Sequence, residues 1–419
     1  MVDLYAANQK YKKMKRRRKN CVVLKRVLTI CAVCVLTAAL VAVSYFAVIP
    51  AVGGLISMLD VSSTVAAASD GNDTGETLPA TPDETEPETT VPTEPATEAP
   101  TEPPTEPQGE YIKPVIADDG TDGVLHSSTL YLWKGRGFNL FSSTDKVAKN
   151  YSKSINDVAK TLGDKVTVYN MVVPNQTEFG LPQRIIDSGI KTTPQSDNIK
   201  CIYDNLNKDI VSINCYNALS AHANEYIYYN TDHHWTSLGA YYAYTAFCEQ
   251  TGQKAVDINT LEKHSIPGFT GSFYGITGNA SLAANADTVE YYDIPVNTYA
   301  YMKERMSSDT LRVSMYYPAS TGGSLTYGVF CWGDTAQFVI HSEANTGKKI
   351  AVVKDSYGNA FAPYLTANYD EVHLIDYRYW SGNLKDYMSK NGITEVLFLN
   401  NTMSANNPSQ VATMSGALS

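Results

Sequence analysis

Charge of either sign is absent from Val27 to Leu59, and basic residues are absent from Asp70 to Glu110. Neither gap fits a uniform globular chain, so the net charge of -10 over 419 residues averages unlike zones. The uncharged run contains Val27–Ile49, VLTICAVCVLTAALVAVSYFAVI, and about 20 apolar residues cross a bilayer. Ten Lys or Arg precede it against the single acid Asp3. That asymmetry holds the N-terminus in the cytoplasm and exports the rest. A cleaved signal peptide is the alternative, with Ala66-Ala67-Ala68 as small residues, but these lie far beyond a run that exceeds a signal core. Beside such a span the basic cluster is topogenic, so no nucleic acid is expected as a partner.

Apolar residues are nearly missing from Gly71 to Gln108, where TPDETEPETTVPTEPATEAPTEPPTEP repeats Thr, Glu and Pro. Twelve acids between Asp70 and Glu110 repel one another, and the prolines stiffen the chain, which excludes a packed core and favours an extended spacer. Cysteine is sparse: of seven, only Cys201, Cys215, Cys248 and Cys331 follow the spacer. They allow one or two disulfides or unpaired buried thiols. No paired CxxC, HExxH, Walker loop or GxGxxG occurs, so neither a metal nor a cofactor is expected. The domain plan is a basic cytoplasmic tail (1–26), a transmembrane anchor (27–49), a disordered stalk (50–110) and an extracellular globular part (111–419).

Within the globular part, strand and helix patterns alternate. Val147, Tyr151, Ile155, Val158 and Leu162 recur at helical spacing, and KVTVYNMVV (165–173) reads as a strand closed by Pro174. A second helix is predicted around Ile199–Leu206, a strand at Asp209–Ile213 and an aromatic strand at Tyr226–Tyr229. Alternation resumes at Lys349–Val353, Glu371–Ile375 and Glu395–Leu399. The expectation is an α/β fold with a doubly wound, mainly parallel sheet. Residues about 259–347, rich in Gly, Ser, Thr and Tyr, read as a β-rich insertion.

Two stretches carry chemistry. In Thr231-Asp232-His233-His234-Trp235-Thr236-Ser237 a carboxylate and two imidazoles stand together before a helix start. In a tight turn Asp232 can curl back to hold His234 through one ring nitrogen, as the acid of a catalytic triad holds its base. Neighbouring His residues diverge, which argues against a metal there. The second stretch is Ile350–Ala360, IAVVKDSYGNA, where an apolar strand runs into Asp-Ser and then a helix. Ser356 at that mouth is the candidate nucleophile. Its own N–H and those of Gly358 or Asn359 are the oxyanion candidates. Abundant tyrosine, 29 in all, suggests flat faces for sugar rings, with Tyr274 among them, although paired Tyr also suits strands.

TDHHWTSLGAYYAY followed by VVKDSYGNAFAPYL resembles the DHHW family of Gram-positive surface proteins, itself similar to the SGNH-hydrolase-like domains of alginate O-acetylation proteins. The resemblance spans roughly Leu130–Leu399. It implies an SGNH-hydrolase-like fold in which acid and base precede the serine, with Asp232 as acid, His234 as base and Ser356 as nucleophile. Where that family usually has glycine before Asp-Ser, this chain has Lys354. Asn175, after the strong strand, is a further oxyanion candidate beside Asn359. Trp235, Tyr274 and Tyr357 are the candidate substrate-binding residues.

The expected activity is acyl transfer or acetyl-ester hydrolysis on a cell-envelope polysaccharide through an acyl-serine. The family implies a membrane-bound O-acyltransferase as the acyl donor. The alternative is a non-catalytic surface protein that binds or assembles glycan.

Overall fold

The structure, a computed structural model, describes residues 109–318 and 320–418. The tail, the span and all but the last two residues of the spacer fall outside the described residues. Among the described residues no helix is long and apolar enough to cross a membrane.

Strands β1 (Val124–Ser127), β2 (Leu130–Trp133) and β3 (Arg136–Asn139) form a small antiparallel sheet. The remaining strands are β4 (Thr167–Val173), β5 (Ile210–Ser212), β6 (Lys263–Phe269), β7 (Asp287–Tyr292), β8 (Thr298–Lys303), β9 (Leu311–Val313), β10 (Gln337–Ser342), β11 (Lys349–Lys354), β12 (Glu371–Asp376) and β13 (Glu395–Asn401). An eight-stranded sheet has the order β5-β4-β13-β11-β12-β10-β8-β9. Its first five strands run parallel and its last three join antiparallel, so the fold is α/β with a mixed sheet.

Burial follows from position in this order. In β11 every residue from Ile350 to Lys354 is buried, as a central parallel strand covered on both faces requires. Burying a Val or Ile side chain stabilises by about 1.5–3 kcal/mol, so Ile350, Val352 and Val353 fix this strand firmly beneath the turn it feeds. The helix Asp145–Leu162 buries Tyr151, Ile155 and Leu162 of the expected stripe together with Ala148, Ser152, Ser154 and Ala159, while Val147 and Val158 are half-buried. Tyr151 then reaches across to donate to Asn400 at 2.9 Å.

The segment expected to be an insertion divides in two. β6 and β7 pair as a separate ribbon, whereas β8, β9 and β10 extend the main sheet. Alternation along β8 buries Ala300 and Met302 and exposes Tyr299 and Tyr301. That pattern declares one covered face but names no partner strand. The aromatic strand expected at Tyr226–Tyr229 is only a single bridge, Tyr228 to Trp235. Its backbone instead closes a turn on itself, with Tyr229 N donating to His234 O at 3.2 Å and Thr236 N to Ile227 O at 2.9 Å. The four described cysteines are free thiols.

Candidate active site

The turn after Tyr229 hands directly to the helix Ser237–Gln250, whose N-cap Thr236 accepts from Gly239 N at 3.2 Å. Capping fixes the chain direction, so Asp232 and His234 stand just ahead of a rigid element. Asp232 curls back on the imidazole: its Oδ1 lies 2.5 Å from His234 Nδ1 and also accepts from His234 N at 3.0 Å. His234 Nε2 lies 2.6 Å from Ser356 Oγ, across 122 positions of sequence. All three residues are buried, with Ser356 at 8% and His234 at 7% exposure. Tyr327 stacks on His234 with centroids 3.9 Å apart and planes 10° from parallel. Its hydroxyl also donates to Ser356 O at 3.1 Å, so one ring steadies both partners.

The carboxylate is itself held from the loop between β6 and β7, and the residues just before it from that loop and the start of β7. Ser272 N donates to Asp232 Oδ2 at 2.7 Å, and Gly271 N donates to Thr231 Oγ1 at 2.9 Å. Asp287, at the start of β7, accepts from Asn230 N and Thr231 N, each at 2.8 Å, and from the Thr231 and Tyr226 hydroxyls. Gly271 permits this approach because a Cβ there would lie 2.2 Å from Asp232 Cβ and 2.5 Å from its Oδ2. Real Cβ atoms do not come so close, so Gly271→Ala must displace the acid. A misplacement of about 1 Å at such a site costs roughly 10²-fold. Steady-state turnover of a chromogenic ester by Gly271→Ala is therefore expected to fall by about that factor, whereas wild-type turnover would show the loop to be irrelevant.

On the other side, β11 ends beside β12 and β13, which brings Ser356 to the carboxyl edge of the parallel strands. Sites in open parallel sheets gather there. Asp355 anchors the turn, accepting from Tyr357 N at 2.9 Å and from Asn401 N and Nδ2 at 2.8 and 2.9 Å. Lys354 is buried and pairs with the buried Asp376 at 3.0 Å. Gly358 makes room for it, since a Cβ at Gly358 would lie 2.7 Å from Lys354 Cβ. A lysine thus fits before Asp355 because Gly358, four residues on, leaves the space beside its side chain free.

The oxyanion candidates fare unequally. Gly358 N donates to Asp355 O and Asn359 N to Ser356 O, each at 3.2 Å, so both amides already serve the first turn of the helix Gly358–Leu365. No described residue accepts from the Ser356 N–H. Asn175 is corrected to a cap: its Oδ1 accepts from Thr177 N at 3.0 Å and Gln195 Nε2 at 2.8 Å, and Nδ2 donates to Asn139 O at 3.2 Å. No hydrogen bond joins Asn175 to Ser356, His234 or Asp232. Trp235 and Tyr357 are also corrected, because they are 0% and 1% exposed and offer no face to a sugar. Trp235 Nε1 donates to Tyr357 O at 3.1 Å and Tyr357 OH to His233 O at 2.5 Å, so these rings brace the two halves of the site. Tyr274 is half-buried against the apolar cluster of Leu130, Leu132, Phe273 and Leu282.

Tyr327, Gly271, Ser272 and Asp287 also build the site, and the sequence alone does not single them out. None sits in a local pattern that distinguishes it; the small Gly271-Ser272 pair is the one available hint.

Burial of Asp232 opposes its ionisation, but the charges of His233 and His234 and the bonds from His234 and Ser272 N win, and its carboxyl lies well below the usual range. Asp232, His233 and His234 bring one ligand atom each within 4.8 Å of one another. Both ring nitrogens of His234 are nevertheless occupied by protein groups, and His233 Nδ1 lies 2.7 Å from Ser272 Oγ. Close packing around the His233 ring, although its side chain is 40% exposed, and the neighbouring charge of His234 push it down toward about 4, against the pull of Asp232. A folded-state imidazole below its unfolded value binds fewer protons than the unfolded chain. Stability from this group is therefore complete above about pH 6.5 and is lost as pH falls toward about 4. His233→Asn is expected to flatten the melting temperature over that window; an unchanged slope would remove His233 as its source.

The fold and site define an α/β protein with a hydrogen-bonded serine, histidine and aspartate at the carboxyl edge of its parallel strands. The DHHW protein family model matches residues 116–375, and the chain belongs to that family. A DHHW family protein from Eubacterium siraeum is 32% identical, with 73% of this chain and 100% of that one covered and a TM-score of 0.65. Bacillus cereus PatB1, solved with a sulfonyl adduct, is 18% identical, with 69% of this chain and 100% of that one covered and a TM-score of 0.56. A weaker likeness, at 11% identity and a TM-score of 0.40, covers 70% of this chain and 98% of the O-acetyltransferase domain of Pseudomonas putida AlgJ. Comparison with curated proteins finds no match.

Proposed function

We propose that this chain is a membrane-anchored, extracytoplasmic serine O-acyltransferase or acetylesterase acting on a cell-envelope polysaccharide. The observation that carries the reading is the 2.6 Å approach of His234 Nε2 to Ser356 Oγ, with Asp232 on the far ring nitrogen. His234 takes the proton of Ser356 as Oγ attacks the acyl carbonyl. Asp232 keeps Nδ1 protonated and stabilises the imidazolium that forms. The Ser356 N–H is the amide left to meet the developing oxyanion. His234 then returns its proton to the leaving oxygen, and the acyl-serine awaits water or a sugar hydroxyl.

The uncharged run at 27–49 and the Thr/Glu/Pro-rich stretch after it support an anchor and a stalk that hold the site away from the membrane. A membrane-bound O-acyltransferase at the same surface is a fitting acyl donor. Burial of Trp235 and Tyr357 counts against purely glycan-binding use of this motif. The test is burst kinetics with 4-nitrophenyl acetate. About one nitrophenolate per protein is expected in the first turnover, and no burst in His234→Ala. Equal bursts in wild type and His234→Ala would refute the assignment of the base.

A further inference from the structure

The loop between the 3₁₀ turn Thr326–Val329 and β10 holds two consecutive non-glycine residues at positive φ, Cys331 at 48° and Trp332 at 62°, followed by Gly333 at 78°. Such backbone costs roughly 1–3 kcal/mol per residue and persists where it serves a site. The next residue is Asp334. Its Oδ1 accepts from Asn359 Nδ2 at 3.2 Å and lies 3.1 Å from Arg378 Nη2 and 4.0 Å from Lys354 Nζ. Asn359 in turn donates its N–H to Ser356 O, so Asp334 sits one side chain away from the nucleophile's turn. His234 also lies close enough for its charge to act on Asp334.

The other oxygen of Asp334, Oδ2, takes no hydrogen bond from any described residue, although the side chain is 34% exposed. Lys354 and Arg378 are paired with Asp334 and Asp376, so within these four ion-paired residues the charges cancel. Against burial, which would raise it, Lys354 and Arg378 draw the Asp334 carboxyl down to about 2 and keep it ionised. A free cation gains little beside two fixed ones, and an anion is repelled by the carboxylate. What fits an ionised carboxylate on a 34% exposed side chain, with one oxygen unpaired among the described residues, is an uncharged O–H donor.

We infer that Asp334 binds the acceptor sugar, its Oδ2 taking a hydrogen bond from a hydroxyl neighbouring the one that attacks the acyl-serine. This rests on the acyl-serine reading above. The attacking hydroxyl loses its proton to His234 as its oxygen bonds the acyl carbon. The bond from that carbon to Ser356 Oγ breaks, and His234 returns the proton to Oγ. Asp334 takes no proton; it orients the sugar.

The test partitions the acyl-enzyme formed from 4-nitrophenyl acetate among water, methanol and cellopentaose, in wild type and Asp334→Asn. Methanol offers an attacking hydroxyl but no neighbouring one. Loss of a charge-assisted bond is expected to cut transfer to cellopentaose roughly tenfold or more, while burst size, hydrolysis and transfer to methanol stay within about twofold. Equal losses for all three acceptors, or no change for any, overturns the assignment. Should Asp334→Asn lose its burst, wild type carries the test. There the rate must saturate with cellopentaose and rise linearly with methanol, and linear dependence on both overturns it. Absence of a burst in wild type would remove the acyl-serine reading and this proposal with it.

Discussion

Ser356→Ala is expected to lower turnover of 4-nitrophenyl acetate by roughly 10⁴-fold or more, because it removes the proposed nucleophile. The fold should survive. The substitution deletes one hydroxyl whose bond to His234 Nε2 contributes about 1 kcal/mol net. That corresponds to a few degrees of melting temperature in a domain of this size. β11 beneath it is buried from Ile350 to Lys354, and Asp355 keeps its three backbone and amide partners. Kinetics and calorimetry on the same preparation make the check. Activity retained within tenfold would show that another group accepts the acyl unit.

Asp232→Asn carries the second large effect, again on the order of 10⁴-fold in kcat. The carboxylate accepts three hydrogen bonds: His234 N and Nδ1 on Oδ1, and Ser272 N on Oδ2. An amide has one accepting atom. Turned toward His234, it leaves Ser272 N–H facing an NH2 group and supplies no negative charge to the imidazolium. Turned away, it confronts both His234 donors and forces the wrong tautomer on the ring. Either orientation damages catalysis while the KM for a small ester stays near wild type, since nothing in the change touches the ester's binding. A KM effect without a kcat effect would contradict the orienting role.

The two halves of the site differ in how far local sequence revealed them. Asp232 and His234 are two residues apart in a turn followed by a capped helix, and Ser356 follows an unbroken apolar strand. Short-range geometry is enough to make those residues candidates. Their meeting is not local: it depends on β11 lying inside the sheet next to β12 and β13, with the Asp-His turn brought to the same edge. Motif resemblance supplied that link, and no periodicity did. Asp287 was invisible because an acid opening a polar-looking strand reads as solvent-facing; only the fold turns it onto Asn230 and Thr231. Trp235 and Tyr357 were misread for the converse reason. An aromatic beside a catalytic motif suggests a ligand platform, yet here the ring volume fills the space between the two motif-bearing segments. The antiparallel strands β8 to β10 were legible as strands and not as members of the main sheet, since alternation fixes a face and leaves the neighbour open.

The most direct measurement is the site of covalent labelling. Protein quenched during the 4-nitrophenyl acetate burst and digested for mass spectrometry should carry one acetyl group, on the peptide containing Ser356. His234→Ala should carry none under the same conditions. Acetylation at any other residue, or equal labelling of Ser356 in both proteins, would contradict a serine activated by His234 and Asp232.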